Sequence, residues 1–167
     1  RDKSCRPRLA HSGRVENRAF PGREPDDVRP PSGVACEFGG RHDGNVDAAF
    51  AAGATEVMVS DSHGNGQNLL LEKLPKNITL VRSWPRPLMM MQGIDDSIAG
   101  VIFVGYHARN GSPNAVLDHT WSSRTVANVW LNDILTGEYG LNAAMAGHFG
   151  VPVIMISAID EKESIAR

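Results

Sequence analysis

A chain of 167 residues and 18.0 kDa has room for one domain with a substantial core and too little for two. Its net charge of −2 and 41% hydrophobic composition argue against the basic surfaces that nucleic acids and anionic membranes attract. No apolar run approaches the roughly 18 residues that span a bilayer, and Arg1-Asp2-Lys3-Ser4 lacks a signal-peptide core, so a soluble cytoplasmic protein with no nucleic-acid or membrane partner is expected.

Residues 1–44 differ from the rest: nine Lys or Arg and seven Asp or Glu stand beside half of the ten prolines, with almost no apolar periodicity. Such a leader buries too little surface to offset its ordering entropy, and loop or disorder is expected there. Cys5 and Cys36 show no metal-type spacing and read as free or incidental thiols. The core is expected over residues 45–167. Val46, Ala49, Phe50 and Ala51 mark a helical face that stops at Gly53. Residues 55–60 read as a strand, 69–74 as a short helical turn closed by Pro75, and 78–81 as a short strand.

Residues 88–91, after Trp84, Pro85 and Pro87, either fill irregular core or line a pocket. Residues 100–106 are the kind of apolar strand that a parallel sheet buries on both faces. Past the loop 110–114 and the segment 115–121, residues 126–131 read as a strand with Asn132-Asp133 as its turn. Residues 137–149 read as a helix with Thr136 as N-cap, Leu141, Ala144, Met145 and His148 near one face, and Gly150 beyond its end. Residues 151–157 form a last strand, and the chain ends at Arg167 inside what reads as a new helix. This alternation predicts an α/β fold with a mostly parallel sheet flanked by helices, in three layers and incomplete at both ends.

Two of the predicted strands hand over to a histidine. Residues 55–60 lead through Asp61-Ser62 to His63, and residues 100–106 lead directly to His107. In one parallel sheet both would reach the same edge, where α/β proteins carry their sites. Neutral imidazoles and a carboxylate suit zinc, and Glu138, in the first helical turn after Gly137, is the best-placed acid. Each residue also has a plainer use: a loop histidine as polar surface, a first-turn glutamate as a partner of the helix dipole. Asp61 either orients His63 or caps the loop. His119, in Leu117-Asp118-His119-Thr120-Trp121, is either a base beside a metal or a solvent-facing strand residue, and spacing alone favours the second. His148 reads as structural, His11 and His42 lie in the leader, and Gly64-Asn65-Gly66 is too short for a nucleotide loop.

Four motifs now stand in order: Ser60-Asp61-Ser62-His63, Gly105-Tyr106-His107-Ala108-Arg109, Leu117-Asp118-His119-Thr120 and Gly137-Glu138-Tyr139-Gly140-Leu141-Asn142-Ala143. Over residues 45–160 the chain resembles the zinc D-aminopeptidases of the DppA type, and matches about the middle of a family chain. The resemblance implies that His63, His107 and Glu138 are ligands of a two-zinc site and that His119 is catalytic. It implies release of N-terminal D-amino acids, notably D-alanyl ones, from short peptides, by a ring-shaped homodecamer whose sites face an inner channel. The chemistry implied is that of two neighbouring zinc ions polarising the scissile carbonyl, with the substrate amine anchored nearby and His119 moving a proton or stabilising developing charge.

The chain also departs from that family. The family's first strand ends in Asp-x-Glu-Gly, whose two carboxylates are further zinc ligands, and no such motif stands in residues 1–44. Its expected place reads Leu9-Ala10-His11-Ser12-Gly13-Arg14, and Glu37, in Cys36-Glu37-Phe38-Gly39, lies too close to His63. The leader reads as translation of a shifted frame that rejoins the pattern near Asp47. The encoding DNA tests this: another frame upstream of Asn45 should encode Asp-x-Glu-Gly. The family's C-terminal portion is also expected to be missing. Two rival readings follow, another metallohydrolase of amides or phosphoesters using the same ligands, and an inactive oligomer-forming remnant without a competent metal pair.

Overall fold

A computed structural model describes residues 33–38 and 43–158. Strands β1 (Gly33–Phe38), β2 (Glu56–Asp61), β3 (Thr79–Val81), β4 (Ile98–Tyr106) and β7 (Val153–Ala158) form one sheet in the order β3-β2-β1-β4-β7, every neighbouring pair parallel. Helix α1 (Asp43–Ala51) joins β1 to β2, and α2 (Glu138–His148) precedes β7. A separate antiparallel hairpin pairs β5 (Val129–Leu131) with β6 (Ile134–Thr136). No helix among the described residues is long and apolar enough to cross a membrane.

The alternation of side chains along the strands builds the layers. Val57 and Val59 of β2 and Val104 of β4 bury one face of the sheet against Val46 and Ala49 of α1. Val101 and Phe103 of β4 point to the opposite face, where they pack with Tyr139 and Ala146 of α2 and with Met91 and Ile94. Helices therefore cover both faces, and the expected three-layer α/β architecture is present. Both helices end as their glycines predict. Gly53 (φ +103°) and Gly150 (φ +74°) take left-handed conformations, and the amides of Ala54 and Val151 reach back five residues to the carbonyls of Ala49 and Ala146.

Several expectations need correction. Gly33–Phe38 lies inside the stretch read as loop, yet it forms the central strand of the sheet, and α1 starts at Asp43, before the expected boundary. Pairing on both sides supplies the order that its short apolar content does not. The Asp-x-Glu motif is not in this strand. Residues 1–32, 39–42 and 159–167, with the reading-frame expectation and the start of a last helix, lie outside the described residues. The strand expected over residues 126–131 begins only at Val129, and the Asn132-Asp133 turn leads into β6, which the sequence reading missed. Gly137, not Thr136, occupies the N-cap of α2. The buried residues of α2 are Glu138, Tyr139, Asn142 and Ala146, while Ala144 and His148 are exposed. The helix is thus turned from the face expected, because it buries polar residues at the site as well as apolar ones in the core.

Phe103 is fully buried between the sheet and α2. Phe103→Ala should cost about 3–5 kcal/mol in denaturant unfolding, whereas Val116→Ala, at a residue 80% exposed, should stay within about 0.5 kcal/mol.

Candidate functional site

The chain runs from β1 outward to β2 and β3, then returns to the other side of β1 for β4 and β7. The order therefore reverses between β1 and β4, and in open α/β sheets the crevice at the carboxyl ends of such strands is the usual ligand site. Phe38 pairs with Asp61 on one side and with Val104 on the other, so β2 and β4 end at the same edge. The loops carrying His63 and His107 leave from there, as the spacing predicted.

Glu138 opens α2 at this edge, where the helix N-terminus favours a carboxylate. Its Oε1 accepts a hydrogen bond from the Trp121 amide at 2.6 Å and lies 3.6 Å from His107 Nε2, an ion-pair rather than a hydrogen-bond distance. Burial pushes the Glu138 carboxyl up. The His107 ring, the Trp121 amide and the positive fields of His107 and His119 outweigh that and hold it below its ordinary value.

The His107 and His119 rings stack with centroids 3.6 Å apart and 16° between their planes. Nδ1 of His107 lies 3.0 Å from the Ala108 carbonyl, and Nδ1 of His119 lies 2.7 Å from that of Leu117. A carbonyl only accepts, so each Nδ1 carries a proton, which leaves Nε2 as the ring atom that can face a metal. The ligand-capable atoms of His107, His119 and Glu138 lie within 4.8 Å of one another. Acceptors gathered so closely repel one another unless a proton or cation stands among them, and two imidazoles with a carboxylate are a donor set suited to zinc and related divalent ions.

His63 stands outside that three-residue cluster but shares its cavity. A recess of about 40 Å³ is lined by Ser62, His63, Met90, His107 and Glu138, among others, and is large enough for an ion or a water. It adjoins a wider cavity of about 440 Å³ walled by Trp84, Met89, Trp121 and His119 together with His63. The methionine run does both things weighed for it, since Met91 fills core and Met89 and Met90 line the cavity. Asp61 caps the loop: fully buried, its carboxylate accepts from the amides of Asn68 and Leu69 at 2.6 and 2.9 Å and from Asn68 Nδ2 at 2.8 Å. His148 lies exposed in the last turn of α2, away from these residues.

Sequence reasoning missed the Trp121 amide, which no side-chain motif announces. It also missed Arg86, buried beside the His63 loop, for which Trp84-Pro85-Arg86-Pro87 was the available signal. Behind the site, Asn142 Nδ2 donates to the Tyr106 hydroxyl at 2.7 Å, which ties α2 to the end of β4.

Known proteins that the chain resembles are D-aminopeptidases. Residues 43–166 match the profile of a peptidase family described as D-aminopeptidase. The D-aminopeptidase of Bacillus subtilis (strain 168) is 42% identical over 112 residues, which is 67% of this chain and 40% of that protein. The solved structure of the Zn-dependent D-aminopeptidase DppA from Bacillus subtilis, described as a self-compartmentalizing protease, superposes with a TM-score of 0.65 at 33% identity, over 74% of this chain and 55% of that one. The chain thus spans less than half the length of the curated relative it matches. With the profile covering most of its length, the chain belongs to the D-aminopeptidase family of peptidases.

Proposed function

We propose that the protein is a zinc-dependent aminopeptidase that releases N-terminal D-amino acids, of the D-alanyl type, from short peptides. The observation that carries this is the convergence of His107, His119 and Glu138 at the carboxyl edge of the sheet, with His63 on the adjoining recess. His107 and Glu138 line the recess beside His63, and His119 faces them from the adjoining cavity. This arrangement supports a pair of zinc ions with His63, His107 and Glu138 as ligands. Bound there, zinc supplies a Lewis acid for the scissile carbonyl and lowers the pKa of a coordinated water.

The protein's own groups supply the rest. Nδ1 of His119 is held by the Leu117 carbonyl, so Nε2 is the atom that takes a proton and returns it to the departing amine. The Trp121 amide fixes Glu138 as an ionised acceptor. Trp84, Met89 and Trp121 give the substrate an apolar wall. Compartmentalisation is a property of the solved relative and supports a homo-oligomer here; the family resemblance adds a decamer as its form.

Elemental mass spectrometry of the purified protein tests the metal site. Bound zinc is expected, at up to about two ions per chain, and His107→Ala should lose it; no zinc, or a trace that the variant keeps equally, contradicts the proposal. With zinc bound, hydrolysis of a D-alanyl peptide amide without phosphoesterase activity is expected, and the reverse preference would favour the rival metallohydrolase.

The depressed Glu138 pKa gives a second test in metal-free protein. As pH falls the unfolded chain takes up this proton first, so the stabilisation is complete above the ordinary carboxylate value of about 4.3 and is lost as pH falls through the lower folded value. Wild type should therefore exceed Glu138→Gln in stability at neutral pH, and the difference should shrink as pH falls below the ordinary carboxylate range. An unchanged difference would mean that Glu138 is not held ionised by the fold.

A further inference from the structure

We infer that Arg86 is a positioning residue for His63, holding the loop that presents this imidazole to the metal site; this rests on the zinc reading above. Arg86 is only 8% exposed, so its cation has left water and its donors need partners inside the fold. The guanidinium donates to the Ser83 carbonyl from Nε (2.6 Å), to Ser60 Oγ from Nη1 (2.9 Å), and to the carbonyls of Asp61 (2.6 Å) and Val81 (3.3 Å) from Nη2. Ser60 and Asp61 end β2 immediately before the His63 loop, and Val81 ends β3 beside it. One side chain therefore fixes the strand end from which that loop departs.

The same segment grips the loop on the other side of His63. Arg86 lies 4.5 Å over the Trp84 ring, and the indole N–H of Trp84 donates to the Gly64 carbonyl at 2.8 Å. The Ser83 amide donates to the Gly66 carbonyl at 2.8 Å, and Gln67 Nε2 donates to Ser83 Oγ at 2.9 Å. Gly66 is left-handed (φ +68°), and a Cβ there would meet Arg86 Nη2 and the Ser83 amide nitrogen, each at 2.9 Å. The loop is pressed against Arg86 too closely for any larger residue. Asp61 anchors its far end through Asn68 and Leu69. His107 and Glu138 take their places from β4 and α2 instead, through the contacts described above. Arg86 should accordingly act on the metal through His63 alone.

Partners that orient a metal ligand typically contribute about 10–100-fold to metal affinity, and a double-mutant cycle isolates the route by which they do so. Zinc affinity of Arg86→Met, His63→Ala and the double variant, measured by competition with a chromophoric chelator, decides the matter. Arg86→Met should weaken binding about 10-fold or more in the wild-type background and leave the His63→Ala background unchanged. Equal weakening in both backgrounds would show a general structural role, and no weakening in either would show none; both outcomes overturn the proposal while the zinc site stands. Absence of zinc from wild type would remove the site itself. If Arg86→Met does not fold, Trp84→Phe keeps a ring but loses the donor to Gly64, and it should show a smaller effect with the same dependence on His63.

Discussion

Parallel pairing of β1 with both β2 and β4 is the constraint on which the site depends. Phe38 is opposite Asp61 on one side and Val104 on the other, so two strands from distant parts of the chain end side by side. Each ends in a loop with a histidine close behind it, and backbone hydrogen bonding alone brings His63 and His107 to one edge. The third group arrives by a different device, since α2 packs on the sheet through Tyr139 and Ala146 and so sets its first residue, Glu138, at that edge. A register slip would turn every side chain of β2 or β4 to the opposite face and move the attached histidine with it.

The edge then gathers groups that do not tolerate one another alone. Two imidazole rings and an ionised carboxylate share a partly buried volume, and the fold stabilises that carboxylate with the Trp121 amide and the start of α2. The buried polar groups around His63 have another character. Asp61 accepts amide hydrogens and Arg86 donates to carbonyls, so both are spent on the shape of the loop, and neither belongs to the acceptor cluster. The division separates groups that would bind a cation from groups that hold the binders in place.

Much of this was legible in the sequence where the signal is local. The apolar runs before His63 and His107 read as buried strands, Gly53 and Gly150 stopped their helices, and Asn132-Asp133 made its turn, with both residues at positive φ. The meeting of His63 and His107 on one cavity followed from assuming a parallel sheet, and Glu138, read as the best-placed acid, lines the same cavity. What escaped was nonlocal. Gly33–Phe38 lies among charges and prolines and owes its strand to partners on both sides, and β6 exists only as the return leg of a hairpin. Spacing alone reads His119 as solvent-facing, and only the family motif marked it before its ring is seen stacked on His107; α2 buries Asn142 where it donates to the Tyr106 hydroxyl. Periodicity counts apolar residues, and it cannot register a helix face chosen partly by polar contacts.

The central claim is that imidazoles and a carboxylate at this edge bind zinc. X-ray absorption at the zinc edge of the purified protein tests it most directly, because it identifies the atoms around the metal. A first shell of nitrogen and oxygen alone at about 2.0–2.1 Å, with outer-shell scattering from two or more imidazoles, is the expected result. A sulfur shell near 2.3 Å would place the metal on Cys5 or Cys36 instead, and the cluster of His107, His119 and Glu138 would then be a polar contact without a metal.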